Sequence, residues 1–163
     1  MKQNFKSILK LFFLLCAFII VTFSCNRSDD KTTTDADEYI TWKNSGTDYK
    51  NGTIYKYYDS KNFEISESTH NFFLEVKTST PIIEGMIINA SETSTELSFG
   101  FDSAGNSDLY FYGGYVKFTT ITNNYIEGEF VGNNAKIVDD SVSPATVTSS
   151  SIQITNGKFR IKR

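Results

Sequence analysis

Apolar and polar residues alternate in short runs along most of this chain. Such runs occur at Tyr39–Lys43, Thr53–Tyr58, Asn62–Ser66, Asn71–Thr78, Ile82–Asn89, Glu96–Phe101, Leu109–Tyr112, Tyr115–Ile121, Tyr125–Val131, Thr146–Thr155 and Lys158–Lys162. Each is rich in aromatic or β-branched residues, the side chains that suit a pleated, half-buried surface. Turn formers separate them, among them Lys50-Asn51-Gly52, Ser103-Ala104-Gly105-Asn106 and Gly113-Gly114. No stretch beyond residue 38 shows a helical period. Pro81 and Pro144 fall at segment edges, where a missing N–H does little harm.

Register predicts two hairpins. An Asn156-Gly157 type I′ turn pairs Ile154 with Phe159 and Ile152 with Ile161 on one face, and Gln153 with Arg160 on the other. A three-residue loop, Thr122 to Asn124, pairs Val116 with Phe130 and Thr120 with Ile126, and predicts Asn124 in the left-handed conformation. Both give a sheet with one dry face. Residues 82–88 differ: Ile83, Gly85 and Ile87 oppose Ile82, Met86 and Ile88, so both faces are apolar and a central, doubly covered strand is expected. The expected fold is an all-β antiparallel β-sandwich, with a flattened β-barrel as the alternative.

The beginning of the chain follows another pattern. Lys2, Lys6 and Lys10 precede a mostly apolar run from Leu11 to Phe23. That run has the length of a signal-peptide core and falls short of the ~20 residues a spanning helix needs. Ser24-Cys25 after this run resembles a bacterial lipoprotein cleavage site, which implies cleavage at that bond and lipidation of Cys25. Thr22 and Phe23 depart from the preferred residues of that pattern. Ser28, Asp29, Asp30 and Lys31 resemble the acidic sorting signal of Bacteroidetes surface lipoproteins, which implies an outer-membrane protein at the cell surface; a periplasm-facing anchor is the alternative. The organisation is then a signal peptide (1–24), a lipidated cysteine with a solvated tether (25–38) and one all-β domain (39–163).

The leader removes three of the 16 basic residues and none of the 19 acidic ones. The remainder is acidic, and nucleic acid is a poor partner for it. Cys16 lies in the leader, so Cys25 has no intramolecular disulfide partner and no thiolate metal cluster is available. The nine Phe that lie beyond the leader, with the nine Tyr, must therefore supply the core. The ending Tyr125-Ile126-Glu127-Gly128-Glu129-Phe130, a polar irregular loop over Asn133–Ala145, and Ile152-Gln153-Ile154-Thr155-Asn156-Gly157-Lys158-Phe159 resembles a Bacteroidetes lipoprotein family of unknown function. The resemblance covers the leader and about residues 80–163. It implies an all-β envelope domain and carries no catalytic residues across.

Candidate chemistry is sparse. His70, the single histidine, follows Ser68 and Thr69, but a triad needs an activated serine in a strained turn and a carboxylate behind the base, and no such motif is present. Glu127 with Glu129, and Asp139 with Asp140, are the nearest paired carboxylates. Residues two apart on a strand share a face at ~7 Å, within the range of inverting glycosidases. Glu127 and Glu129 also suit a solvated outer face. Asp102 to Asp108 gathers oxygen ligands around a glycine, yet Ala104 and Ser107 break calcium-loop spacing and a β-turn accounts for it. Asp102-Ser103-Ala104 and Asp140-Ser141-Val142 resemble the O-glycosylation sequon of exported Bacteroidetes proteins, which implies Ser103 and Ser141 as modification sites. Trp42, Tyr55, Tyr57, Tyr110 and Tyr112 belong to an aromatic set larger than a small core needs, and are the candidate ligand contacts. The expected function is that of a lipid-anchored envelope protein with a non-catalytic binding or structural domain, needing neither cofactor nor metal. Its partners are the membrane, through the anchor, and a glycan or an envelope protein. The alternatives are a glycan-binding module built on exposed aromatics and an envelope hydrolase built on paired carboxylates.

Overall fold

The structure is a computed structural model that describes residues 38–50, 54–103 and 107–163. The described chain is all-β and antiparallel, as its alternation predicts. Its strands are β1 (Tyr39–Asn44), β2 (Thr47–Lys50), β3 (Ile54–Tyr58), β4 (Asn62–Glu67), β5 (Phe72–Lys77), β6 (Ile87–Asn89), β7 (Leu97–Phe101), β8 (Ser107–Ile121), β9 (Tyr125–Asp139), β10 (Thr146–Ser150) and β11 (Ile154–Lys162). They form one sheet in the order β2-β1-β11-β9-β8-β7-β5-β4-β3, with β10 on β9 and β6 on β8. The sheet curls so that β4 and β5 face β1, β11 and β9. The two walls expected of a sandwich thus belong to one sheet, a half-barrel.

The core lies inside the curl. Residues of one parity point inward: Ile40 and Trp42 from β1, Phe63 and Ile65 from β4, Phe72, Leu74 and Val76 from β5, Phe130 from β9 and Phe159 from β11. Rings lock the walls together. Phe63 meets Phe159 at 5.0 Å and Phe118 at 5.2 Å, while Phe130, Phe72, Trp42 and Tyr49 form a continuous stack with spacings of 5.3, 5.1 and 5.6 Å. Such pairs contribute about 0.5–1.5 kcal/mol each beyond their burial.

The curl does not close by hydrogen bonding, since β2 and β3 end the sheet order. Side chains cross the seam instead. Glu38 ion-pairs Lys56 of β3, and its Oε1 accepts the Lys162 N–H of β11 at 2.7 Å. The Arg163 guanidinium lies 4.8 Å over the Tyr58 ring.

Turn chemistry is where the sequence reading needs correction. Asn156-Gly157 is not a hairpin turn: β11 runs through it, and the register slips between Ile154 opposite Gly132 and Gly157 opposite Phe130. Asn156 adopts φ 53°, the left-handed conformation of a bulge residue. Neighbours β1 and β9 keep pairing on both sides, so β11 continues through the bulge. Val116 does pair with Phe130, as expected. The loop beyond it differs: Ile121 faces Ile126, Thr122 N–H bonds to Tyr125 O at 2.9 Å, and a bulge near Thr119 restores the register. Asn124 is not left-handed. The Thr122 hydroxyl, accepting the Asn124 and Tyr125 N–H groups, holds the turn instead.

Gly113-Gly114 is likewise no turn but the middle of the 15-residue β8, and β9 continues through Asn133 to Asp139 where an irregular loop was expected. Residues 82–88 do not form a central strand. Only Ile87–Asn89 pairs, with β8 alone, and Ile83 and Ile87 are 61% and 54% exposed. The chain bends at Gly85, so Ile82 and Ile88 are buried in the core and Met86 packs against it. The Lys50-Asn51-Gly52 turn falls largely outside the described residues.

Candidate functional site

The open end of the curl carries a cleft of about 320 Å³ between β1, β2, the β4–β5 loop, β7 and β8. Its apolar wall is Trp42, Tyr49, Phe101, Leu109 and Ile152; its polar groups are His70 and Asn44. A Ser45-Gly46 turn with φ of 49° and 84° folds β2 back on β1 as a type I′ hairpin and sets Tyr49 flat against Trp42, 4° from parallel. Trp42 itself is 2% exposed, so this candidate contact offers the cleft little more than an edge.

His70 is fixed from behind. Glu67 continues the inward parity of Phe63 and Ile65, which buries its carboxylate completely. That carboxylate accepts the Thr69 N–H at 2.8 Å and the His70 N–H at 2.9 Å, and lies 3.0 Å from His70 Nδ1. Asn71, at φ 54°, turns the chain into β5, and its carbonyl accepts the Asp102 N–H. The imidazole stands edge-on to both Trp42 and Tyr49, at 5.3 and 5.2 Å. His70 is therefore a half-buried, oriented ring. Among the described residues no serine hydroxyl reaches it, so the arrangement holds a positioned base without a nucleophile. Parity was the signal for Glu67: a carboxylate two residues beyond Ile65 on the same strand must point inward.

A second feature lies on the outer face. Registers place Tyr55, Ser66, Phe73, Gly100, Tyr110 and Lys136 in one row across β3, β4, β5, β7, β8 and β9. Gly100 is required there, because a Cβ would sit 1.8 Å from the Leu109 carbonyl oxygen. Across that gap Phe73 meets Tyr110 edge-on at 5.5 Å, Tyr112 follows at 6.4 Å, and Lys136 Nζ lies 5.1 Å over Tyr112 while pairing with Glu92. Burial pushes the Tyr110 phenol up, aided by the charges of Asp108 and Asp102. Tyr55 and Tyr57 are 65% and 55% exposed. Tyr57 donates to Asp59 at 3.0 Å, which raises its phenol above the ordinary value. The structure therefore gathers Tyr110 and Tyr112, sets Tyr55 on their row with Tyr57 beside it, and separates Trp42 from all four. Phe73, which the sequence reading passed over, sits at the opposite parity to the core residues of β5.

The remaining candidates are scattered. Glu127 pairs with Arg160 at 3.2 Å and Glu129 with Lys117 at 3.5 Å, both on the outer face. Asp139 accepts the Ser141 N–H and hydroxyl, which lower its carboxyl. Ser141 and Ser103 are exposed, and Ser103 N–H bonds to Asp108 at 3.1 Å. Partial burial and then the Asp108 charge push the Asp102 carboxyl up. Ser24, Cys25, Ser28, Asp29, Asp30 and Lys31 lie outside the described residues, as do positions 104–106 of the calcium-like loop. Comparison with protein-family models, with curated proteins and with solved structures finds no match.

Proposed function

We propose that this chain is a lipid-anchored protein of the bacterial outer membrane, held through Cys25 and displayed at the cell surface, whose β domain is a non-catalytic binding module for glycans. The observation that carries the binding reading is the outer row of Tyr55, Phe73 and Tyr110 with Tyr112 beside it, fixed across rigid strands with Lys136 at its end. Aromatic faces with a polar rim match sugar rings, which present C–H surfaces and hydroxyls together. Rigid strands hold the rings without an ordering cost at binding. The acidic sorting residues Ser28 to Lys31 and the Ser24-Cys25 junction support the location.

Glycan-array binding by the full chain tests the ligand. Signal on a polysaccharide that drops at least tenfold in Tyr110→Ala and Tyr112→Ala is expected; no signal on any polysaccharide overturns the glycan assignment. The anchor is tested separately: Cys25→Ala recovered in the membrane fraction at the wild-type level overturns lipidation.

A further inference from the structure

We propose that the cleft at the open end of the curl is a separate binding site for a small, single-ring apolar molecule carrying a hydroxyl group. It uses none of the outer-row residues and stands independently of the glycan reading. Three observations carry it. The cleft, at about 320 Å³, falls at the small end of the ~300–1,000 Å³ typical of small-molecule sites, which fits one ring rather than a chain. Its wall is ring and aliphatic carbon, and that wall is prebuilt: the stack from Phe130 through Phe72 and Trp42 backs Tyr49, so its shape does not wait for the ligand.

The third observation supplies the hydroxyl. Glu67 takes the Nδ1 side of His70, so the neutral imidazole keeps its proton on Nδ1 and presents a bare lone pair at Nε2. Nε2 has no partner among the described residues, and no polar side-chain atom there is both buried and unsatisfied, so Nε2 reaches solvent on a ring that lines the cleft. An acceptor fixed beside an apolar wall selects a molecule that donates one hydrogen bond and buries one ring. A site built around such an acceptor discriminates against the analogue lacking the donor, because the acceptor is then dehydrated for nothing.

The chain contains its own reporters, since Trp42 is the only tryptophan and His70 the only histidine. The full chain is titrated with p-cresol and, separately, with toluene, following Trp42 emission excited at its red edge. The expected result is p-cresol binding about tenfold or more tighter than toluene, the difference one buried hydrogen bond makes. His70→Phe, which keeps a ring in the wall, reduces that ratio to near one. The His70 Nε2 resonance of the wild-type chain provides a readout without mutation: it shifts with p-cresol and stays in place with toluene. Equal affinities, no binding of either compound up to its solubility, or a preference that survives in His70→Phe each overturn the proposal.

Discussion

Removing the Glu67 carboxylate tests the claim that the β4–β5 loop is organised from inside the core. In Glu67→Ala the Thr69 and His70 N–H groups lose a charged acceptor at 2.8 and 2.9 Å, and the His70 ring loses its partner at 3.0 Å. Hydrogen bonds to a charged group contribute about 1.5–3 kcal/mol each. Three would exceed 4 kcal/mol, but water entering past the part-exposed His70 ring rehydrates some of the freed donors, so we expect a loss of about 3–4 kcal/mol. With a urea m-value of about 1.5–2 kcal/mol/M for a domain of this size, the unfolding midpoint falls by about 2 M at unchanged m. Glu129→Ala is the matched control. Its carboxylate pairs with Lys117 at 3.5 Å with both partners part-exposed, and removing it should move stability by less than about 0.5 kcal/mol. A Glu67→Ala loss under about 1 kcal/mol would refute the reasoning. It would mean that the left-handed Asn71 and its bond from Asp102 hold the loop by themselves.

Other positions give equally direct expectations. Phe63→Ala removes a fully buried ring that touches Phe118 and Phe159, and should cost about 3–5 kcal/mol in chemical denaturation. Gly100→Ala drives a Cβ into the Leu109 carbonyl and should abolish a cooperative melt by circular dichroism; a wild-type melt would contradict the β7–β8 approach. Asp59 has its carboxyl lowered to about 2 by the Lys61 N–H, the Asn62 side chain and the Asn62 N–H. A depressed folded-state value means stability that is present above the unfolded pKa of ~3.9 and lost as pH falls toward 2. The urea midpoints of wild type and Asp59→Asn should therefore differ at pH 6 and converge over that window.

Period-2 alternation made the core legible because inward parity is set locally: Phe63 and Ile65, or Phe72, Leu74 and Val76, need only the pleat to be recognised. The pairing of Val116 with Phe130 was legible for the same reason. Asn156-Gly157 was not, since the same dipeptide serves a turn or a bulge, and the choice is made by β1 and β9, distant strands that pair on either side of it. Ser45-Gly46, a true type I′ turn, was passed over because β2 is too short and polar to announce itself. Exposure at Ile83 and Ile87 follows from the short edge strand β6, a matter of topology rather than local pattern. Among the site residues, the strand tyrosines were visible by composition and their row was not, because it is assembled across six strands. Glu67 and Phe73 were both readable from parity: one is polar where the strand points in, the other aromatic where it points out.

The Glu38 junction has a mechanical meaning. A pull on the chain ahead of residue 38 enters the domain at β1, which is flanked by β2 and β11, and a pull directed along that strand draws it lengthwise rather than peeling it sideways. The β1 ladders are then loaded in shear, with many hydrogen bonds sharing the load, instead of opening one at a time. Glu38, fastened to Lys56 of β3 on one side of the seam and to the Lys162 backbone of β11 on the other, shares that load between these two strands before it reaches the core.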